Sequence, residues 1–186
     1  MPDDTELLAV LESLRERGAL GETSLPHAVA HADLFLAAIP ATCTRLIDLG
    51  SGGGLPGLVL ASRLTDASIV LCDRRERRMD LLRLACTRLG LLDRVTVITA
   101  DVVALARQPE FQGDFDVVTA RAFGDPLWTL RCAEPFLKVD GVIIVSEPPT
   151  DSVTLRWPNH AVVALGLMPS PTQFSQVRRF ERTPGR

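Results

Sequence analysis

Leu7, Leu8, Leu11 and Leu14 recur at helical spacing, and Gly18 and Gly21 close that run, so the pattern predicts a first helix. Ser24 is placed to cap a second, with Pro26 in its first turn, an end near Ala38 and Pro40 beyond it. From residue 44 the period changes. TRLIDLG (44–50) reads as a buried strand entering a glycine-rich loop, and Pro56 suits the first turn of a helix to about Leu64. ASIVLCD (67–73), RVTVITAD (94–101), FDVVTARA (115–122) and GVIIVSE (141–147) read as further strands. Helices are expected over 75–90, where Met79, Leu82, Cys86 and Leu89 share a face, briefly after residue 101, and over 126–137. The segments AVVALGLM and FSQVRRFER, within 160–183, are expected to pair antiparallel.

Val- and Ile-rich strands alternating with helices imply an α/β fold: a mostly parallel sheet with helices on both faces. The expected layout is one domain over 1–186, with an N-terminal helical segment over 1–43 and the α/β core over 44–186. Composition agrees with a packed core, at 46% hydrophobic and 23% charged residues. A net charge of −3 excludes attachment to nucleic acid by bulk charge, so any such role needs a local basic face. Cys43, Cys72, Cys86 and Cys132 match no zinc spacing and read as buried thiols of a reducing compartment. The acidic start MPDDTELLAV has no signal-peptide pattern, and the uncharged run 160–177 is broken by Gly166, Pro169 and Pro171. The expected setting is therefore cytoplasmic, with no membrane partner.

Five of the 13 glycines fall in DLGSGGGLPG, residues 48–57. Gly52, Gly54 and Gly57 satisfy the G-x-G-x-x-G spacing of dinucleotide loops, which also occurs in tight turns without a ligand. Asp48, just ahead of Gly50, argues against a pyrophosphate, which wants free N–H donors and positive charge. A phosphate-free cation tolerates that acid, and S-adenosylmethionine carries a sulfonium and an ammonium. Asp73 ends the second strand, where a carboxylate can accept from ribose hydroxyls, and Asp101 ends the third, facing an adenine amino group. Each also fits a helix N-cap.

DLGSGGGLPGLVLA, LCDRRERRMDLLRLACTRLGL and FDVVTARAF together resemble the RsmG (GidB) family over about residues 44–145. That resemblance implies a Rossmann-like, class I SAM-dependent methyltransferase fold, S-adenosylmethionine as cofactor, and methylation of guanine N7 in 16S ribosomal RNA of the small subunit. By position it implies cofactor contacts at Gly50, Leu55, Ala100, Asp101 and Arg121. Asp48, Gly52, Gly54 and Asp73 complete the expected cofactor set. HADLF (31–35) is faintly similar to the family's His-x-x-Asp-Ser-Leu motif; its Asn-Leu-Thr motif has no counterpart, and SEPPT stands where Lys-Gly is usual.

Guanine N7 has a lone pair and no proton, so no catalytic base is assigned, and none of His27, His31 or His160 is assigned to a metal. Arg74, Arg75 and Arg78, with Arg121, are the expected RNA contacts; Arg77, Arg83 and Arg88, and Arg178, Arg179 and Arg182, extend a possible basic face. The other reading of those arginines is a solvated, ion-paired helix. Trp128 and Phe123 are the candidate stacking residues. Two other functions stay open: a methyltransferase for a small molecule, with a closed apolar pocket beside Leu55, Pro148 and Trp128, and a SAM-binding protein without catalysis.

Overall fold

Successive residues of a strand point to opposite faces, so a strand apolar throughout needs cover on both. The structure, a computed structural model, describes residues 3–21, 24–148 and 156–183. Its strands are β1 (Arg45–Leu49), β2 (Ser68–Asp73), β3 (Val95–Thr99), β4 (Phe115–Ala120), β5 (Leu137–Ser146), β6 (Leu167–Pro169) and β7 (Val177–Arg182). They form one sheet in the order β3-β2-β1-β4-β5-β7-β6. The first five pair in parallel, and β7 runs antiparallel to both β5 and β6.

Alternation sorts the core into two layers. Leu46, Leu71, Val117 and Val142 pack under α1 (Asp4–Glu16), α2 (Leu25–Ala38), α3 (Gly57–Arg63) and α4 (Glu76–Arg88). Ile47, Val70, Val118 and Ile143 pack against α5 (Val102–Leu105), α6 (Pro126–Ala133) and α7 (Asn159–Ala164). Asp3 caps α1 by accepting from Glu6 N at 2.7 Å, and Leu7, Val10, Leu11 and Leu14 form its buried stripe. Ser24 holds the cap position of α2, yet its hydroxyl makes no capping bond.

Two expectations change. The helix read over 126–137 ends at Ala133, because Pro135 has no N–H to continue it, and β5 therefore begins at Leu137, paired with Phe115 across a register shift. AVVALGLM splits: its valines lie in α7, where Val162 is buried in the second layer, and only Leu167–Pro169 pairs with β7. Packing there overrides the β-propensity of valine.

The four cysteines are free and buried. Burial pushes Cys43 and Cys86 up to about 11 and Cys72 to about 12, so none of these three is a reactive thiolate near neutrality.

Asp116 ties the start of β1 to β5. It accepts from Thr44 N at 2.9 Å, Thr44 Oγ1 at 2.8 Å, Arg45 N at 2.9 Å and Lys138 Nζ at 2.7 Å. Burial pushes its pKa up, but Lys138 and these donors outweigh it and hold the carboxyl at about 2. That stabilisation is present above the unfolded value near 4 and lost as pH falls toward 2. Asp116→Ala is expected to cost about 2 kcal/mol near neutrality. Urea unfolding at pH 7 and pH 3 checks this: the gap between the two proteins narrows in acid, and an equal gap at both values contradicts the assignment.

Candidate cofactor and RNA site

The chain runs outward from β1 through β2 to β3, then returns to lay β4 and β5 on the other side. The strand order reverses between β1 and β4, and the crevice beyond their carboxyl ends is where such sheets bind ligands. The glycine loop lies there. Gly50 has φ +68°, and a Cβ on it would lie 2.6 Å from Phe123 Cδ2, so only glycine lets the aromatic ring close over the loop.

The loop's donors face inward. Gly52 N donates to Asp73 Oδ2 at 3.1 Å, Gly54 N to Ser51 O at 2.7 Å and Gly57 N to Asp48 Oδ2 at 3.2 Å. A pyrophosphate cradle needs such groups free.

Two cavities flank the loop. The first, about 460 Å³, is lined by Asp73, Arg74, Ala100, Asp101, Phe123 and Trp128, among others. The second, about 230 Å³, is lined by Leu20, Gly52, Leu55, Arg78 and Arg121, among others. Gly50, Arg75 and Ala122 border both.

Asp48 departs from expectation. It opens on neither cavity and is 1% exposed beneath the loop, accepting from Thr119 Oγ1 at 2.7 Å as well as from Gly57 N. Burial pushes its pKa up to about 6, against the pull of the Thr119, Ser51 and Gly57 hydrogen bonds and the Arg121 charge. Gly54 also lines neither cavity; a Cβ there would lie 2.9 Å from both Leu58 Cβ and Leu82 Cδ1, so its role is packing. Asp101 both caps α5, accepting from Val103 N at 2.9 Å, and borders the first cavity.

The arginines divide. Arg75 is paired with Asp73 at 3.0 Å. Arg83 is held by Asp80, Val97 O and Thr99 Oγ1, and Arg182 by Glu134 and the carbonyls of Leu137 and Lys138. Arg179 pairs with Glu181. The β7 arginines also sit four strand spacings from β2, roughly 19 Å across the sheet, so they do not extend the basic patch at the loop. Arg74 and Arg77 are exposed, and Arg78 is half-buried against Gly52. Arg121 is half-buried and has no hydrogen bond or ion pair among the described residues; burial lowers its pKa, partly offset by the charge of Asp48. Trp128 is 51% exposed at the first cavity.

Sequence reasoning missed three features. Ala122, at φ +49°, turns the chain where the cavities meet, donating its N–H to Ser146 Oγ at 3.3 Å. Ala19 and Leu20 press on the loop from the α1–α2 turn: a Cβ on Gly53 would lie 2.6 Å from Ala19 O. Glu147 of the EPP stretch is buried and accepts from the indole of Trp157, while Pro149 lies outside the described residues.

The family profile described as rRNA small subunit methyltransferase G (GidB) matches residues 25–156. The chain belongs to the GidB family. Among the family's curated members, the ribosomal RNA small subunit methyltransferase G of Kineococcus radiotolerans is 34% identical over 168 residues, covering 86% of this chain and 63% of that protein. The namesake from Rubrobacter xylanophilus is 36% identical over 123 residues, covering 66% of this chain and 46% of that protein. The chain spans about half the length of the first curated GidB relatives it matches. In fold it is similar to a Bacillus cereus O-methyltransferase in complex with SAH, with TM-score 0.72, 18% identity, and coverage of 98% of this chain and 93% of that one. The architecture is thus the class I SAM-dependent methyltransferase fold, and the β1–β4 crevice is the candidate site of this GidB chain.

Proposed function

We propose that this chain binds S-adenosylmethionine and methylates N7 of a guanine in the RNA of the small ribosomal subunit, in the cytoplasm. The observation that carries the reading is the inward turn of the loop donors: with Gly52, Gly54 and Gly57 satisfied internally, the crevice suits a nucleoside without phosphates. Membership of the GidB family supports ribosomal RNA as the acceptor.

The residues present fit that cofactor. Asp73 faces the first cavity as an acceptor for ribose, and Ala100 and Asp101 border the same space for adenine. Arg121 brings an unshared guanidinium to the second cavity, suited to the carboxylate of the methionine end. When bound, the cofactor supplies an electrophilic methyl on a sulfonium. Guanine N7 offers a lone pair and no proton, so the protein's task is placement, and positioning alone is worth about 7–11 kcal/mol in well-oriented reactions. Arg74, Arg78 and the exposed Trp128 at the rim suit phosphate and base contacts.

A small-molecule acceptor is less well supported. Leu55 and Trp128 border different cavities and Pro148 borders neither, so these three do not enclose an apolar pocket. No helix among the described residues is long and apolar enough to cross a membrane.

Calorimetric titration tests the cofactor part. S-adenosylhomocysteine is expected to bind, and millimolar NAD is expected neither to bind nor to compete. Binding of NAD in place of the homocysteine derivative contradicts the reading.

A further inference from the structure

The acceptor that a ribose diol needs is already full. Asp73 Oδ1 accepts from Arg75 N at 2.9 Å and Arg75 Nε at 3.1 Å. Asp73 Oδ2 accepts from Arg75 Nη2 at 3.0 Å and Gly52 N at 3.1 Å. A carboxylate offers about four lone-pair positions, so none is left over.

These four bonds are not alike. Two come from backbone: Gly52 N fixes the glycine loop and Arg75 N sets the start of α4. The other two come from one side chain, one to each oxygen. The Asp73 side chain is 4% exposed and that of Arg75 is 53% exposed, so the acceptor is fixed and the donor is free to leave. Burial pushes the Asp73 pKa up, but the Arg75 bonds outweigh it and keep the carboxyl below its usual range, so an anion waits there near neutrality.

A guanidinium fork aims two N–H donors at two carboxylate oxygens. The vicinal hydroxyls of a ribose aim two O–H donors at the same pair. Arg75 borders both cavities, and its guanidinium lies beside that of Arg78 over the glycine loop: a Cβ on Gly52 would lie 3.4 Å from Arg78 Nη1 and 3.9 Å from Arg75 Nη2. Two neighbouring cations thus stand over the loop, and Arg75 is the one that pairs with the carboxylate.

We propose that Arg75 is a placeholder for the ribose: it holds Asp73 until the diol of the cofactor displaces it, and the freed guanidinium joins Arg74 and Arg78 as a contact for an RNA phosphate. This rests on the cofactor and RNA reading above. An ion pair with an exposed partner contributes only about 0–1 kcal/mol, so its exchange for two hydroxyls costs little. The consequence is an order of binding. The loaded protein presents RNA with one more free cation than the empty one.

The test titrates a fluorescent 16S ribosomal RNA fragment with the full chain at several salt concentrations, with and without S-adenosylhomocysteine. It compares the wild type with Arg75→Gln and Arg75→Ala, each checked for folding by circular dichroism. The homocysteine derivative is expected to tighten RNA binding by the wild type and to steepen its salt dependence by one phosphate contact, a slope change of about 0.7. Both variants are expected to bind it about five-fold more tightly, since no ion pair has to open. In them it no longer changes the salt slope for RNA. Unchanged or weaker affinity in both variants overturns the proposal, as does a wild-type slope that the ligand leaves alone. Failure of the wild type to bind S-adenosylhomocysteine at all instead overturns the cofactor reading on which the proposal rests.

Discussion

Arg121→Ala is expected to lower the proposed methyl transfer to ribosomal RNA about 100-fold, the loss that follows when a positioning contact lets reacting atoms drift by about 1 Å. The reason is the state of the guanidinium. It is half-buried at the second cavity with no hydrogen bond or ion pair among the described residues, so the charge of Asp48 offsets its desolvation only in part. On the proposed reading, a carboxylate at the methionine end of the cofactor completes that compensation. Stability follows the opposite course. Removing an unpaired, half-buried cation leaves the thermal midpoint within about 3 °C of the wild type, or raises it. Arg121→Lys keeps the charge and loses the planar fork, so its rate falls between the two. Initial rates over a range of cofactor concentrations check this, and a wild-type rate and KM in Arg121→Ala contradict the assignment.

Asp48→Asn removes a pH dependence that the wild type carries. Burial raises the Asp48 pKa to about 6, above the unfolded value near 4. The folded state therefore keeps a proton that the unfolded state releases. The associated stability is complete below about pH 4, declines as pH rises toward 6, and amounts to about 3 kcal/mol. An amide in place of the carboxyl cannot ionise, so this decline disappears, and the variant is at least as stable as the wild type at pH 7.5. Asp48→Ala behaves differently, because Gly57 N and Thr119 Oγ1 lose their acceptor; it is expected to cost about 2–3 kcal/mol at that pH. Urea midpoints at pH 4.5 and 7.5 for the three proteins decide the matter. A decline of wild-type size in Asp48→Asn contradicts it.

The sheet was legible because each strand carries its own signal. Runs such as SIVLCD and FDVVTA are apolar on both faces, and the glycines and acids that follow them sit at strand ends by local chemistry alone. Asp73, Ala100 and Asp101 come to one cavity for that reason. Asp48 lies buried beneath the loop and lines neither cavity, and the sequence holds the clue. It shares strand parity with Leu46, whose side chain faces the α3 layer, so period two aims Asp48 at the start of that helix, where it accepts from Gly57 N. The arginines could be counted and not assigned, because what occupies Arg83 and Arg182 is backbone carbonyl from distant segments. The contact of Leu20 with Gly53 is likewise a product of packing between the α1–α2 turn and the loop after β1, and no local pattern reports it.

The most direct measurement is label transfer. The purified protein is mixed with methyl-labelled S-adenosylmethionine and small ribosomal subunits from cells lacking its gene, beside a parallel reaction with a small-molecule extract. The account predicts label in the RNA, recovered as 7-methylguanine. Label confined to the small-molecule extract, or none in either reaction while the cofactor still binds, contradicts it.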